Sequence, residues 1–500
     1  MHSNFKSYFH LIVLFIIAYI FRIISSINGG QFFIVDELRY GAGHHFLSYI
    51  SDLNIKGSLQ YFLSIPAHTM FTLFAAFVEL FRYFFLLFFF DSNLQAHTLN
   101  TNQIGIEVSS CILSFFSILN AFLLYPIVRS AGGCSLQGFL ATALLLLSTT
   151  NFYFSRHLLP YDLSITLSLL SLLFLLKSKM NRKTIYITGV LSGLSTLTYF
   201  GYWPLALTTW VCAILFSPNK AKAFIFCTIG GLSPVILLQV LGYLVDVNYL
   251  SGVLEFIRAT GTNQMGDQGV SLSAIIEFLW LTENLYSIIL FFLFIITTCF
   301  CKFSDYRKLN FRTLGIIYFV IILGVFIICT EILGSFVLYG RTIKQIIPYI
   351  CLVSSFSLCI LTRSLYTKKS FSVLLTLGFI VLYISLYNHS KVLAIVYPKN
   401  FKDTAALITN DFQETASFIG NNVQKLERPD NEKKFSLVNA QYLVPPIIEV
   451  KDIPLGEIIL EEKHPYFYFK PYQFLHYNST ERSLIDSHEL SMKLIKRNEQ

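Results

Sequence analysis

Long apolar stretches separated by short polar loops make up the first 388 residues of the chain. Eleven of them approach the roughly 20 apolar residues that a helix needs to cross a bilayer. They cover residues 8–27, 105–128, 136–153, 161–176, 184–200, 202–217, 223–245, 278–300, 313–332, 346–362 and 371–388. The pattern predicts a polytopic α-helical membrane protein with about 11 transmembrane helices.

Residues 61–90 are also apolar, but they include Glu79 and Arg82. Ionisable side chains that face lipid are costly. We therefore expect juxtamembrane helices in the first outer loop, residues 28–104, rather than another span. The alternative, in which 61–90 crosses, places residues 28–60 in the cytoplasm.

The basic residues are distributed unevenly between alternate loops. One set of loops holds fourteen Lys and Arg residues, whereas the short loops of the other set hold four. Because cytoplasmic loops are enriched in Lys and Arg, the first set is predicted to be cytoplasmic. The N-terminus is then cytoplasmic, and the chain after residue 388 is extracytoplasmic. The membrane is predicted to be the cell membrane.

The composition becomes polar after residue 388, which predicts a second unit, residues 389–500. Helical spacing of apolar residues covers 403–419, and three short apolar runs predict strands at 435–439, 457–460 and 466–469. A closing helix is expected from Glu481 to Arg497. Together these elements predict a small C-terminal α/β extracytoplasmic domain beside a transmembrane domain of residues 1–388.

The composition excludes other classes of protein. Hydrophobic residues make up 54% and charged residues 13%, about half the roughly 25% charged residues of a soluble protein. The net charge of +8 does not indicate nucleic-acid binding, because no basic stripe with interleaved aromatic residues accompanies it.

The first candidate site is the acidic pair Asp36 and Glu37 in the first outer loop, a few residues beyond the first span. A partly desolvated carboxylate near the membrane plane suits a general base for an incoming hydroxyl or amine. The alternative is a solvated loop with a chance acidic pair.

The second candidate lies at the outer end of the third and fourth spans, where Arg156 precedes Asp162. Asp162 falls just inside a helix N-terminus, so stabilisation by the helix dipole explains it equally well. The other interpretation has Asp162 facing Asp36 and sharing a divalent cation. His68, with His44 and His45, is a further candidate ligand.

The third candidate is the pair Arg341 and Lys344 at the outer edge of the tenth span. A guanidinium at this depth suits a phosphate partner. Snorkelling of both side chains to lipid headgroups is the alternative.

Taken in order along the chain, these groups resemble the GT-C superfamily of membrane glycosyltransferases. The resemblance is to the branch with protein O-mannosyltransferases, the lipid A aminoarabinose transferase and rhizobial lipopolysaccharide sugar transferases. It covers roughly residues 10–360. The motifs that carry it are Asp36-Glu37, Pro66 in the juxtamembrane region, Ser155-Arg156 followed by Pro160 and Asp162, and Arg341 followed by Pro348.

The resemblance implies an enzyme that moves a sugar from a polyprenyl-phosphate donor to a lipid, glycan or protein acceptor, with inversion. It implies Asp36 as general base, and Arg341 with Lys344 as ligands of the donor phosphate. Glu37, Arg156 and Asp162 are implied to orient groups or hold a cation. The alternative is a lipid-linked sugar flippase or transporter without transferase activity, for which inverted repeats are typical.

Overall fold

The computed structural model describes part of the chain. The described residues are 2–27, 38–89, 106–177, 180–262, 271–283, 285–299, 310–332, 340–366, 378, 383, 435–439, 456–463 and 491–497. Asp36 and Glu37 lie outside them, as do the predicted helix 403–419, the predicted strand 466–469 and nearly all of the predicted span 371–388.

Helices account for almost all of the described chain up to residue 366. The first are α1 (His2–Ile27), α2 (Leu38–Ser51), α3 (Ile55–Leu63), a 3₁₀ turn (Pro66–His68), α4 (Thr69–Phe89) and α5 (Ile106–Ser130). Next come α6 (Ser135–Leu146), α7 (Thr149–Phe154), α8 (Tyr161–Lys177), α9 (Arg182–Thr198), a 3₁₀ turn (Phe200–Tyr202), α10 (Trp203–Phe216), α11 (Lys220–Leu244) and α12 (Tyr249–Thr262). The last are α13 (Ser271–Glu283), α14 (Leu285–Cys299), α15 (Phe311–Ile327) with a π turn (Ile328–Ile332), α16 (Gly340–Ile343), a 3₁₀ turn (Lys344–Ile346) and α17 (Ile347–Tyr366).

Within the described residues, six helical segments are long and apolar enough to cross a membrane. They are Phe9–Ser26, Pro66–Phe88, Val108–Ser130, Lys220–Leu244, Phe311–Ile332 and Gly340–Leu361. Three shorter apolar helices cover Ser135–Leu146, Phe200–Phe216 and Ile289–Cys299. The chain is thus a helical membrane protein. Fewer segments qualify than the eleven predicted, partly because α8 and α9 have only 17 residues each.

Asparagine side chains cap the N-termini of three helices at the end of the bundle that is predicted to be cytoplasmic. Asn181, Asn219 and Asn310 each accept a hydrogen bond from the backbone amide three residues later, at 2.9, 3.0 and 2.9 Å. These caps satisfy amides that the first helical turn leaves without a partner. They place the starts of α9, α11 and α15 where the polar loops meet the apolar stretches.

Glycines bring α9 and α11 into backbone contact. A Cβ atom on Gly189 or Gly193 would collide with backbone carbonyls of Cys227 and Gly231 respectively. Small residues four positions apart permit this close approach in membrane helices. The two helices run in the same direction, and α10, which connects them in sequence, runs in the opposite direction.

Glu79 and Arg82 form a buried ion pair within α4. The Arg82 Nη2 atom lies 2.5 Å from Glu79 Oε2, and the side chains are 3% and 5% exposed. The expectation that residues 61–90 avoid the membrane assumed that these charges face lipid. That assumption is wrong, because each charge is neutralised by the other inside the protein.

The contacts of α4 nevertheless show its course. Thr69 at its start hydrogen-bonds the Tyr249 hydroxyl at the start of α12, at 2.9 Å. Ten residues further on, Glu79 lies beside Tyr40, and Tyr40 also interacts with Ser109 near the start of α5. These contacts connect the first half of α4 to the starts of α2, α5 and α12.

The described part of the C-terminal region is a three-stranded antiparallel sheet. It comprises β1 (Phe435–Asn439), β2 (Gly456–Lys463) and β3 (Ser491–Arg497), in the order β1-β3-β2. The strands predicted at 435–439 and 457–460 are present. The closing helix predicted through Arg497 is wrong over β3, whose Leu494 pairs with Leu437 on one side and Leu460 on the other. Backbone pairing on both edges outweighs the local helical preference.

Candidate functional site

Asp162 and Lys344 form a buried ion pair between two of the predicted groups. Asp162 is the second residue of α8, and Lys344 opens the 3₁₀ turn before α17, 182 positions away. The Lys344 Nζ atom lies 2.6 Å from Asp162 Oδ1, with the side chains 2% and 8% exposed. The sequence analysis placed both residues at one face but assigned Lys344 to the donor phosphate rather than to Asp162.

Polar side chains of neighbouring helices fix the Asp162 carboxylate. The Asn120 side-chain amide on α5 donates to Asp162 Oδ1 at 3.2 Å and to its backbone carbonyl at 3.0 Å. Thr166, one turn further along α8, donates to Asn120 Oδ1 at 2.6 Å. Because three elements hold the carboxylate, its position is set by the fold rather than by a surface loop.

Arg22 on α1 brings another cation to the same region. The guanidinium is completely buried, lies 4.8 Å from the Phe152 ring centroid and 5.6 Å from that of Tyr383, and interacts electrostatically with Asp162. The sequence analysis missed this residue. The available signal was that Arg22 is the only Lys, Arg, Asp or Glu within residues 8–27, since ionisable residues within spans mark functional sites by default.

The loop between α7 and α8 contributes Arg156 and His157, both buried. The Arg156 guanidinium lies 5.5 Å from the Tyr153 ring centroid. The Arg156 backbone carbonyl accepts a hydrogen bond from the Ser110 hydroxyl. The same hydroxyl lies 3.0 Å from the Ser26 hydroxyl on α1. Burial, with the charges of Arg156 and Lys344, holds the pKa of His157 well below its usual range, so this imidazole is neutral at neutral pH.

Arg341 is tied to the same end of the bundle through its backbone. The Tyr202 hydroxyl donates to the Arg341 carbonyl at 2.6 Å. Tyr202 belongs to the turn Phe200–Tyr202, and its neighbour Tyr199 packs against the Tyr161 ring at 4.7 Å. The structure thus brings Arg341, Lys344, Arg156 and Asp162 together. We call these residues, with Arg22, the ionic cluster.

An apolar cavity of about 410 Å³ lies among α9, α10, α11 and α12. Its lining includes Pro66, Gly193, Phe200, Trp210, Val235 and Phe256. Phe200 contributes to this lining, whereas Tyr202 in the same turn contacts Arg341. The cavity and the Arg341 backbone carbonyl therefore both border this turn.

His68 is buried at the end of the turn Pro66–His68. Pro66, at the start of that turn, lines the apolar cavity. Within the described ranges, no three His, Cys, Asp or Glu side chains cluster as metal ligands. The Asp162 Oδ1 atom receives an ammonium and an amide, and the sharing of a divalent cation between Asp162 and Asp36 stays a prediction. The predicted sharing partner, Asp36, is outside the described residues.

A second buried carboxylate, Glu283 at the end of α13, was not predicted. Its Oε1 atom accepts from the Ser148 hydroxyl at 2.7 Å and the Thr150 amide at 2.9 Å, and its Oε2 atom accepts from the Thr149 amide at 2.8 Å. These donors form the start of α7, where the predicted span 136–153 is broken into α6 and α7. The signal was a lone Glu within residues 278–300.

No protein-family model matches the chain, and no curated protein matches it at a significant level. The functional argument therefore depends on the ionic cluster, the cavity and the order of the sequence motifs.

Proposed function

We propose that this protein is an integral-membrane glycosyltransferase of the GT-C type. It moves a sugar from a polyprenyl-phosphate donor to a lipid, glycan or protein acceptor, with inversion. The observation that carries the proposal is that the ionic cluster, through the Arg341 carbonyl, and an apolar cavity both border the turn Phe200–Tyr202. A lipid phosphate needs both features, because its tail is apolar and its headgroup is anionic.

The cavity has the size and chemistry of a hydrocarbon site. Ligand pockets commonly occupy about 300–1,000 Å³ and are lined mainly by apolar side chains with few polar groups. Cationic side chains, above all arginine, suit a phosphate group at the edge of such a pocket. Arg341 is the proposed donor-phosphate ligand, and Lys344, paired with Asp162, keeps the Arg341 segment in place.

The proposed reaction is a direct displacement. Asp36 removes the proton from the acceptor hydroxyl or amine, and Glu37 orients the acceptor. The freed electron pair attacks the anomeric carbon as the bond from that carbon to the phosphate oxygen breaks. The polyprenyl phosphate leaves with the bonding electrons, and Arg341 stabilises its additional charge. The chemistry takes place on the extracytoplasmic side of the cell membrane, the side on which residues 389–500 are also predicted to lie.

The test uses full-length protein in lipid vesicles supplied with a panel of polyprenyl-phosphate sugars, and it measures release of polyprenyl phosphate. A positioned general base contributes about 10²–10⁴-fold, so Asp36→Asn should lower the rate at least about a hundredfold. Asp52→Asn is the matched control, since Asp52 is an exposed carboxylate in the same loop. An Asp36→Asn rate within about threefold of wild type would exclude Asp36 as the base.

A lipid-linked sugar flippase is the second candidate function, and the break between α6 and α7 is the observation that favours it. Transporters often bind substrates at the ends of broken membrane helices. Here Glu283 already occupies the start of α7, which leaves that helix end less available to a substrate. Movement of a lipid-linked sugar across vesicles without release of polyprenyl phosphate would support the flippase.

A further inference from the structure

Arg22 is a member of the ionic cluster to which the proposed reaction gives no role. Its side chain is 0% exposed. Across the described part of the chain, none of the three guanidinium nitrogens has a hydrogen-bond partner. Phe152 and Tyr383 contact it through their rings instead.

A buried guanidinium in this state is costly. Its five N–H donors lose water on burial, and such groups are nearly always paired or hydrogen-bonded in folded proteins. Contact with two aromatic rings offsets only part of the loss. Asp162 interacts with Arg22 at longer range, but its Oδ1 atom already accepts from Lys344 and Asn120. Among the described residues, the arginine therefore lacks the hydrogen-bonded anion that its burial requires.

We infer that Arg22 binds the phosphate group of an anionic ligand. Lys344 serves as the counter-ion of Asp162 instead of contacting that phosphate. A planar guanidinium presents parallel donors that match phosphate oxygens. The choice of a lipid phosphate rests on the proposed function, whereas anion binding by Arg22 does not.

Further donors lie on the same side of α1. Ser26 is one turn after Arg22, so the two side chains project from one face of the helix. The Ser110 hydroxyl lies 3.0 Å from that of Ser26 and also bonds the Arg156 carbonyl. A phosphate at Arg22 thus lies on the face of α1 that is linked through Ser110 to the Arg156 loop.

The test measures thermal unfolding of the full-length protein in detergent with farnesyl phosphate, farnesol or inorganic phosphate. A ligand that binds only the folded state raises the unfolding temperature. Farnesyl phosphate should stabilise the wild type, whereas farnesol should not. Arg22→Met should weaken the apparent affinity at least about tenfold, the scale of one charge-assisted hydrogen bond. Arg22→Lys should restore part of it.

Arg182→Met is the matched control. Arg182 also stacks on an aromatic ring, with its guanidinium 5.7 Å from the Phe226 centroid, but it lies at the opposite end of the bundle. This variant should bind farnesyl phosphate like the wild type. Without ligand, Arg22→Met should be at least as stable as the wild type, because it removes a buried charge that has no hydrogen-bonded partner.

Two results overturn the inference: an Arg22→Met variant that keeps the wild-type response, or an equal response of the wild type to farnesol. Stabilisation by inorganic phosphate alone, lost in Arg22→Met, supports the anion site with free phosphate as its source. If Arg22 binds farnesyl phosphate and no sugar is transferred, the inference stands and the transferase proposal fails. If sugar is transferred and Arg22→Met changes nothing, the reverse holds.

A second measurement on the wild type remains informative if Arg22→Met does not fold. A farnesyl phosphate analogue with a photoreactive group on its first isoprene unit is crosslinked, and the adducts are mapped by mass spectrometry. Adducts on α1 or on Phe152 support the inference. Adducts confined to other segments overturn it.

Discussion

Glu283 and Asp162 are both buried carboxylates in apolar surroundings, but their partners differ. Glu283 accepts three hydrogen bonds from one helix start, two from backbone amides and one from the Ser148 hydroxyl. Asp162 accepts from the Lys344 ammonium and the Asn120 amide, with Arg22 close by. One centre is neutralised by a helix dipole, whereas the other contains more cations than carboxylates among the described residues.

The difference separates a structural carboxylate from a site with charge available for a ligand. At Glu283, the carboxylate accepts the hydrogen bonds that the amides at the start of α7 can donate. Glu283 therefore stabilises the break between α6 and α7. At Asp162, Lys344 satisfies the carboxylate while the Arg22 guanidinium has no hydrogen-bond partner within the described chain. Of these two centres, the ionic cluster is therefore the one whose cations are available for the anionic ligand that we propose.

The largest effect on stability is expected from Asp162→Ala. Removal of one partner of a buried ion pair typically costs about 3–5 kcal/mol, because the other charge stays buried. Here the variant leaves both Lys344 and Arg22 without their carboxylate. The free energy of unfolding is measured in mixed detergent and SDS micelles.

The double variant Asp162→Ala/Lys344→Met sharpens this experiment. It removes both members of the pair, so it should recover a substantial part of the loss. A double variant no more stable than Asp162→Ala alone would show that the ion pair is not what stabilises this region.

Glu283→Ala should have the next largest effect. It leaves the Thr149 and Thr150 amides without an acceptor in an apolar interior, which costs about 1–3 kcal/mol for an unsatisfied group. The transfer rate per folded molecule should stay near the wild-type value. A variant that folds normally but transfers no sugar would contradict the structural role of Glu283.

The smallest effects are expected from Ser148→Ala and Asn120→Ala, a matched pair. Each removes a neutral donor from a buried carboxylate, and hydrogen bonds to charged groups contribute about 1.5–3 kcal/mol. Each also removes a further hydrogen bond, from the Asn151 amide to Ser148 or from Asn120 to the Asp162 carbonyl. Both losses should fall at the lower end of that range, because other donors remain. Asn120→Ala alone should also weaken binding of farnesyl phosphate, and equal binding by the two variants would remove the distinction between the centres.

The sequence was sufficient to predict a helical membrane protein, because apolar runs of this length form few structures other than membrane-spanning helices. It also placed Arg156, Asp162, Arg341 and Lys344 at one end of the bundle, since each falls at the same end of a predicted span. It did not reveal which charges pair. Lys344 and Asp162 meet because α17 and α8 both pack against α5, and that contact is set by tertiary packing over 182 positions.

Other features were missed for local reasons. The break between α6 and α7 occurs where Ser148 caps α7 within an apolar run, and a hydropathy pattern averages over such a point. The strand Ser491–Arg497 was predicted as helix because its partners, β1 and β2, lie far away in sequence. The apolar run around Arg22 predicts a membrane span. The hydropathy pattern does not show that the Arg22 guanidinium is buried inside the protein.

The most direct test of the account is to identify the lipids that copurify with the protein. Full-length wild type, Arg341→Ala and Glu283→Gln are purified from membranes in mild detergent, and bound lipids are extracted for mass spectrometry. We predict polyprenyl phosphate or its sugar ester bound to wild type and Glu283→Gln, at about tenfold lower occupancy in Arg341→Ala. Bulk phospholipid alone in all three preparations, or equal polyprenyl phosphate in all three, would contradict the assignment of the ionic cluster as a lipid-phosphate site.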